Sequence, residues 1–251
     1  MLEMTSTLLA THRGPFGRHQ MRFAASNARC EWRVRTLATK EPSVYAWLQT
    51  LGPDDVLFDV GANIGVYTVF AAVCMDARVV AFEPESQNFA AINLNLSLNN
   101  IGDRATAYCL AASNRIGLFP LHLSELSIGQ SCHSLGAPVG PYLEPRPAAF
   151  SQGAIAAPLG MLVASAGLPS PTHIKIDVDG FEHEVVYGLR GLINTARELC
   201  IETNPAIPQH VHMVQYLIDH GFAYDPVQVA AATRQAGAFK GVAEYIFRRV
   251  V

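Results

Sequence analysis

The chain has 251 residues, of which 50% are hydrophobic and 16% are charged, and its formal net charge at pH 7 is −3. This length and this apolar content allow one large α/β domain with a substantial core, and they exclude a largely disordered chain. Proteins that track nucleic-acid phosphates normally carry a basic excess, so the composition argues against DNA or RNA as a partner.

The first part of the chain shows little regular pattern, and we interpret residues 1–40 as an N-terminal extension. Two short strands are predicted within it, near residues 20–25 and 32–37. The remaining residues, 41–251, are predicted to form one domain. Its first helix is indicated by apolar side chains at helical spacing over residues 44–51, before a Gly-Pro pair.

Strand-like and helix-like segments alternate through the rest of the domain. The predicted strands are 56–60, 78–82, 105–110, 173–178, 199–202, 223–229 and 243–249. The predicted helices are 66–75, 86–99, 182–195 and 209–220. This alternation predicts a Rossmann-like α/β fold with a mostly parallel sheet covered by helices on both faces. Because no long helix is predicted between the last two strands, we expect them to form an antiparallel hairpin at one edge.

Residues 124–151 differ from this pattern, since they are rich in glycine and proline and have little periodicity. Long segments without secondary structure in a compact domain are usually functional or mobile. This one lies between the third and fourth core strands, which places it near the ligand edge of the sheet. We interpret it as a cover on the substrate side, with a plain surface loop as the alternative.

The strongest motif is DVGANIG at residues 59–65, where the first core strand passes into a helix. Glycine allows a sharp turn and a close approach of the backbone to a ligand. The two glycines lie four residues apart, unlike the GxGxxG pattern that binds a pyrophosphate. A sulfonium nucleoside has no pyrophosphate, so Asp59, Gly61, Asn63 and Gly65 are predicted to bind such a cofactor.

An acidic residue, Glu83, ends the second core strand about twenty residues after the glycine turn. At this position a carboxylate can accept hydrogen bonds from both ribose hydroxyls. Small and apolar residues around Ala111 end the third strand and suit an adenine slot. We therefore expect Glu83 and Ala111 to complete the nucleoside site.

At these positions the chain resembles the FkbM-type methyltransferase family. The resemblance is carried by DVGANIG, by AFEP at residues 81–84 and by IKIDVDGFEHEVVYGL at residues 174–189, and it extends over about residues 41–204. It implies a seven-stranded methyltransferase sheet, S-adenosylmethionine as the methyl donor, and O-methylation of sugars, polyketides or related secondary metabolites. The family usually has IDVEG where this chain has Asp179, a side chain shorter by one methylene.

The candidates for acid–base chemistry are two carboxylates and one histidine. Asp177 and Asp179 end the fourth core strand at spacing i and i+2, so both side chains are expected on one face. Such a pair raises one pKa and creates a base, or it holds a cation. The alternative is that one of them caps the following helix. His133, within the predicted cover, is a third candidate base.

Two further oxygen ligands, Glu202 and Asn204, end the fifth core strand. Together with Asp177 and Asp179 they form a candidate Mg²⁺ site, because hard cations prefer oxygen ligands. A bound cation would acidify the acceptor hydroxyl. Metal assistance, a metal-free base and pure alignment of the reactants remain three open routes.

The motifs and the family resemblance that they carry together imply an S-adenosylmethionine-dependent O-methyltransferase that acts on a hydroxyl of a small molecule such as a sugar, a glycoside or a polyketide. An NAD-dependent oxidoreductase and a non-catalytic nucleoside-binding protein are the alternatives, and the missing GxGxxG pattern argues against the first. No apolar stretch approaches the roughly 20 residues of a membrane span, and the five cysteines form no CxxC pair. We expect a cytoplasmic protein without a membrane partner; its oligomeric state stays open, with a homodimer as one option.

Overall fold

The computed structural model describes residues 6–14 and 17–250; the other residues of the predicted extension and domain lie outside this description. The strands are β1 (Ser6–Gly14), β2 (Gly17–Ala25), β3 (Val56–Val60), β4 (Arg78–Phe82), β5 (Ala105–Tyr108), β6 (Ala111–Ala112), β7 (Gly117–Leu123), β8 (Ser134–Leu135), β9 (Phe150–Ala157), β10 (His173–Ile176), β11 (Glu198–Thr203), β12 (Phe222–Tyr224) and β13 (Ala243–Arg249). The helices are α1 (Ala28–Arg35), α2 (Pro42–Leu48), α3 (Val66–Cys74), α4 (Ser86–Leu98), α5 (Leu159–Ala166), α6 (Glu182–Leu189), α7 (Pro208–Asp219) and α8 (Pro226–Ala232). Among the described helices, none has the length and apolar character needed to cross a membrane.

A seven-stranded sheet with the order β12-β13-β11-β10-β3-β4-β5 forms the centre of the molecule. Its strands from β11 to β5 run parallel, whereas β13 is antiparallel to both β11 and β12. The predicted α/β class is confirmed, and so is the antiparallel pairing of the last two strands. Because the strands are parallel, the carboxyl ends of β3, β4, β10 and β11 lie along one edge, where ligands bind in such sheets.

Alternation along the strands divides the core between the two faces of this sheet. On β3, Leu57 joins the apolar cluster that contains α3 and α4, whereas Phe58 and Val60 join the cluster that contains α6 and α7. Leu57 and Phe58 have no exposed surface. Burial of each such side chain stabilises the fold by roughly 1.5–3 kcal/mol, so the site is built on a rigid layer.

The N-terminal segment packs on the first of these clusters, through Met21, Phe23 and Val34. The strand predicted at residues 20–25 is confirmed within β2. The strand predicted at 32–37 is wrong, because residues 32–35 belong to α1 and residues 36–37 to the turn that follows it. The Asn27 side chain accepts from the Cys30 amide and caps the helix, and this local signal overrides the alternation of apolar residues.

Part of the segment 124–151 is regular, contrary to prediction. It contributes β8 and the start of β9 to a four-stranded sheet with the order β6-β9-β7-β8. An isolated bridge between Val139 and Pro145 shapes the loop between those strands. Short strands separated by glycine and proline leave little periodicity in the sequence, which explains why the pattern did not reveal them.

The predicted strand at residues 223–229 is also partly wrong. β12 ends at Tyr224, and α8 follows at once. Asp225 accepts from the Val227 amide, and Pro226 occupies the first position of the helix. An N-cap aspartate followed by proline is a typical helix start, and the apolar alternation obscured it.

Candidate functional site

A cleft of about 560 Å³ opens at the carboxyl ends of β3, β4 and β10. α1, residues 124–146 and the loop after α8 supply the rest of its wall. The predicted site residues that line it are Gly61, Asn63, Glu83, Ala111, His133, Asp177, Asp179 and Glu202. Asp59, Gly65 and Asn204 are not part of this lining. The structure thus brings most of the predicted set to one cavity.

The turn after β3 depends on the absence of a side chain at Gly61. Its φ is +78°, and a Cβ there would lie 1.9 Å from the carbonyl oxygen of Asp177 on the neighbouring strand end. The Gly61 and Ala62 amides donate to the Phe82 carbonyl at 3.0 and 3.1 Å. Gly65, at φ +77°, is the N-cap residue of α3. The turn therefore brings the carboxyl ends of β3, β4 and β10 into direct contact.

Glu83 is almost fully buried and is held by two backbone amides. The Asn63 amide donates to Oε2 at 2.8 Å, and the Glu85 amide donates to Oε1 at 2.9 Å. Burial raises the pKa of Glu83 to about 8, and these two amide hydrogen bonds oppose the rise. Each carboxylate oxygen has a second lone pair, so Glu83 can accept a pair of further donors from the cleft.

Asp59 lies beneath the turn and not in the cleft wall. It is fully buried and accepts from Thr68 Oγ1 at 2.6 Å, and Lys175 Nζ lies 4.0 Å from its Oδ1. Burial raises the pKa of Asp59, while Lys175 and the Thr68 hydroxyl oppose that effect. Asp59 therefore makes its contacts inside the fold, just before the turn at Gly61, and does not line the cleft.

Asp177 and Lys175 share one face of the β10 strand end, and Lys175 Nζ donates to Asp177 Oδ2 at 3.3 Å. Burial alone would raise the pKa of Asp177. The positive charges of Lys175, Lys40 and Arg234 outweigh it and hold that pKa well below its usual range. Asp177 is therefore an anion at neutral pH and a weak base.

Asp179 has a different environment, although it is only two residues away. Its φ is +56°, and its Oδ2 accepts from the Cys132 amide at 2.6 Å. Burial and the negative charges of Asp177 and Glu182 raise the pKa of Asp179 to about 6, against the opposing Cys132 amide. The two carboxylates thus have well separated pKa values, a property typical of acid–base sites.

The loop that carries Asp179 is fixed by Glu182, which the sequence did not single out. Buried Glu182 accepts from the Val178 amide at 2.8 Å and from the Gly180 amide at 3.0 Å. His210 Nε2 also lies 3.1 Å from Glu182 Oε2. A glutamate in the first turn of a helix shortly after an Asp-Gly pair is a sequence signal that could have been recognised.

His133 reaches the cleft from the segment 124–151. The Ser124 amide donates to His133 Nδ1 at 3.2 Å, so the ring proton of the neutral form is on Nε2. Burial lowers the pKa of His133 to about 4, with Arg146 and Arg33 adding to the effect and Glu85 opposing it. Nε2 is buried and has no hydrogen-bond partner among the described residues.

Glu202 and the neighbouring carboxylate of Glu244 are already paired with the guanidinium group of Arg234. Arg234 donates to Glu202 at 2.7 Å and to Glu244 at 2.6 Å. Burial raises the pKa of Glu202 well above its usual value; Asp177 adds to the rise and Arg234 opposes it.

The predicted metal ligands come together only in part. Carboxylate oxygens of Asp177, Glu182 and Glu202 lie within 4.8 Å of one another. Asn204 Oδ1 accepts from the Ala206 amide at 3.0 Å, and the Asn204 amide donates to His210 Nδ1 at 3.1 Å. These two hydrogen bonds of Asn204 hold the loop after β11 in place.

Sequence reasoning missed the basic and aromatic side chains of the cleft, which include Trp32, Arg33, Lys40, Arg146 and Arg234. They come from segments that were assigned to an extension, a cover and a hairpin, where no motif marks them. Lys175, which donates to Asp177, could have been recognised from the sequence. It is a buried lysine in the apolar strand β10, and buried charges are almost always paired.

Comparison with known proteins places this geometry in a family. The Methyltransferase FkbM domain matches residues 59–224. The chain is 27% identical over 188 residues to the hexuronic acid methyltransferase AglP of Haloferax volcanii, covering 74% of this chain and 71% of that protein.

Among solved structures, the FkbM methyltransferase of Methylobacillus flagellatus KT matches with a TM-score of 0.50 and 14% identity over 89% of this chain. The match spans only 55% of that protein's length. A precorrin-6y C5,15-methyltransferase of Geobacter metallireducens GS-15 has a TM-score of 0.46 and 15% identity, with 83% and 87% of the two chains covered. The domain match covers more than half of the chain and includes the glycine turn, Glu83 and Asp179, so the chain belongs to the FkbM methyltransferase family.

Proposed function

We propose that this protein transfers the methyl group of S-adenosylmethionine to a hydroxyl oxygen of a small molecule, with a sugar or glycoside as the favoured class. One observation carries the proposal: the glycine turn with Glu83, and Asp179 with a pKa of about 6, line the same cleft. Family membership supports methyl transfer, and the relative named as a hexuronic acid methyltransferase supports a sugar. Polyketide-type acceptors belong to the same hydroxyl class.

The residues present suit a sulfonium nucleoside. Glu83 offers its remaining lone pairs to two ribose hydroxyls, and Ala111, with 6% of its surface exposed, leaves room for a flat base. A cleft of about 560 Å³ is in the usual range for a ligand of this size. When bound, S-adenosylmethionine supplies an electrophilic methyl group. The protein's main contribution is alignment of the acceptor oxygen with that group.

Asp179 is the base that the geometry favours. Asp177 is held as an anion by Lys175, which makes it a poor proton acceptor. His133 uses Nδ1 to accept from the Ser124 amide, so the N–H of its neutral ring is on the buried Nε2 and no ring nitrogen is left to accept a proton. Asp179 keeps Oδ1 available and has a pKa close to the working pH, where general bases are most effective.

The charges of the site favour a metal-free route. Carboxylates that bind Mg²⁺ need a net negative environment, whereas here Lys175 pairs with Asp177 and Arg234 pairs with Glu202. The oxygens of Glu182 are taken by the amides of Val178 and Gly180. We propose that Lys175 and Arg234 neutralise the negative charge of Asp177 and Glu202, as a bound metal ion does in metal-dependent enzymes.

Chelation tests this point. Methyl transfer is expected to continue unchanged in EDTA, because no step depends on a bound cation. The measurement is S-adenosylhomocysteine formation before and after chelation, with Mg²⁺ and Mn²⁺ added back in turn. Loss of activity that either ion restores would contradict the metal-free route and return Asp177 and Glu202 to the status of ligands.

The donor is tested by calorimetry with S-adenosylhomocysteine and with NAD⁺. The wild-type protein is expected to bind the first and not the second. Glu83→Ala should weaken binding of S-adenosylhomocysteine by about 1–3 kcal/mol, because it removes two hydrogen bonds to the ribose. Glu31→Ala, on an exposed face of α1, is the control and should bind like wild type.

Two results would contradict this assignment. Preferential binding of NAD⁺ would favour an oxidoreductase, and unchanged affinity of Glu83→Ala would remove Glu83 from the nucleoside site.

We also propose that residues 124–151 cover the acceptor. The segment contacts both a predicted cofactor residue and the proposed base. Asn63 Nδ2 donates to the Gln130 carbonyl at 2.7 Å, and the Cys132 amide donates to Asp179. Limited proteolysis should cut this segment in the free protein and more slowly with S-adenosylhomocysteine and acceptor bound. Equal rates with and without both ligands would identify it as an ordinary surface loop.

A further inference from the structure

Two arginines on the cleft wall, Arg33 and Arg146, have no acidic partner among the described residues. The ion pairs of the described residues all involve other basic side chains, and neither guanidinium has a carboxylate within 4.0 Å. Arg234, on another part of the same wall, pairs with three glutamates. Both side chains are half-buried, and a guanidinium on a cleft wall without a carboxylate partner is available to bind an anionic ligand, so this contrast points to a ligand.

Backbone carbonyls hold both guanidinium groups in place. Arg33 Nε donates to the Gly129 carbonyl at 2.6 Å, and Arg146 Nη2 donates to the Cys132 carbonyl. An arginine has five N–H donors, so each retains several for a ligand. The two carbonyls lie on either side of the short stretch 130–131, which brings the two charges to the same part of the cleft wall.

His133 directly follows Cys132, whose carbonyl accepts from Arg146, and it lines the same cleft as both arginines. Its Nε2–H is a buried donor with no acceptor among the described residues. Two guanidinium groups and one unpaired N–H donor form a set that matches the oxygens of a carboxylate or a phosphate.

An aromatic side chain completes this end of the cleft. Trp32, next to Arg33 on α1, lines the cleft and is 46% exposed. A tryptophan in the cleft wall offers a flat apolar surface on which the C–H face of a sugar ring can pack. Charge and shape thus describe one acceptor: a carbohydrate with an anionic group.

We propose that Arg33, Arg146 and His133 form an anion-binding subsite for the acceptor, so that the molecule methylated is a sugar that carries a carboxylate or a phosphate. This inference rests on the proposed function, because it assumes that the acceptor enters this cleft. The subsite binds the anion and orients the sugar, which presents a hydroxyl to Asp179.

The cofactor has a carboxylate of its own, and this source must be distinguished. Arg33 also borders a smaller hollow of about 40 Å³ beside Lys40 and Gly61. Arg146 and His133 line only the larger cleft. Arg146 is therefore the residue whose replacement separates the acceptor from the cofactor.

The test titrates glucose, glucuronate and glucose 1-phosphate into the protein, with and without saturating S-adenosylhomocysteine, by calorimetry. We expect one of the charged sugars to bind more tightly than glucose, and the better one identifies the anion. Arg146→Gln and Arg33→Gln should each weaken that binding about 10- to 100-fold, the range for a charge-assisted hydrogen bond. Arg78→Gln, at the exposed start of β4 on the opposite edge of the sheet, is the matched control and should bind like wild type.

Equal binding of glucose and the charged sugars would overturn the proposal, as would wild-type affinity in both Arg146→Gln and Arg33→Gln. A second titration compares S-adenosylhomocysteine with 5′-methylthioadenosine, which lacks the amino-acid part. If Arg146→Gln weakens only the former, the subsite serves the cofactor and the proposal is overturned. Failure of the proposed function gives a different result, since the wild-type protein then binds neither nucleoside while the sugar titrations still report on the anion subsite.

Discussion

Asp179→Asn is expected to lower kcat about 10²–10⁴-fold, the usual contribution of a general base. Asparagine has nearly the same shape, tolerates the left-handed backbone at φ +56° and still accepts from the Cys132 amide through its oxygen. The substitution therefore removes proton acceptance and little else. Affinity for S-adenosylhomocysteine should be unchanged, which a calorimetric titration of the same preparation checks.

The pH dependence of the reaction gives an independent reading of the same group. Because Asp179 acts in its ionised form and its pKa is raised to about 6, kcat/KM should rise with pH through about 6 and then level off. The Asp179→Asn protein should lose this limb. Asp54→Asn, in the exposed turn before β3, is the control and should keep both the rate and the limb. Full activity of Asp179→Asn would leave alignment alone as the source of catalysis.

Gly61→Ala is expected to destabilise the fold and to abolish cofactor binding. A non-glycine residue at φ +78° costs about 1–2 kcal/mol, and overpacking a rigid site costs about 1–3 kcal/mol more. Here the added Cβ would overlap the Asp177 carbonyl, and backbone cannot move aside as a flexible side chain can. The strand ends β3 and β10 would have to separate, which displaces Asp177 and the loop of Asp179.

Urea unfolding followed by tryptophan fluorescence measures the loss. Gly153→Ala is the matched control, because a Cβ at that exposed position in β9 meets nothing within 4 Å. Its free energy of unfolding should stay within about 1 kcal/mol of wild type. Wild-type stability and cofactor affinity in Gly61→Ala would show that the turn does not approach Asp177 as closely as described.

The central sheet was predictable because its signals are local. Five-residue apolar runs such as β3 and β4, each followed by helical spacing, have few other interpretations. The glycine turn and Glu83 were predictable for the same reason, since their positions relative to the strands determine where they lie. Segments with two competing local signals failed: the N-cap of Asn27 and the Asp225-Pro226 helix start were obscured by alternating apolar residues.

The wall of the cleft was not predictable, because it is made by contacts far apart in sequence. Arg33 bonds to Gly129, and Asp179 bonds to Cys132, across separations of 96 and 47 residues. The tautomer of His133 depends on an amide of Ser124, and the protonation state of Asp177 depends on Lys40 and Arg234 as well as Lys175. No spacing pattern encodes these contacts. Sequence therefore predicted most of the glycine and acidic residues at the strand ends, whereas the basic and aromatic wall and the charge states needed the structure.

The most direct test of the account is formation of S-adenosylhomocysteine from S-adenosylmethionine by the wild-type protein across a panel of sugars, glycosides and polyketides. We expect turnover that depends on one class of hydroxyl-bearing acceptor and gives a product heavier by one methylene, with the methyl group on oxygen. Tight binding of the nucleoside without turnover on any acceptor would contradict it, and would identify the protein as one that binds the cofactor without transferring its methyl group.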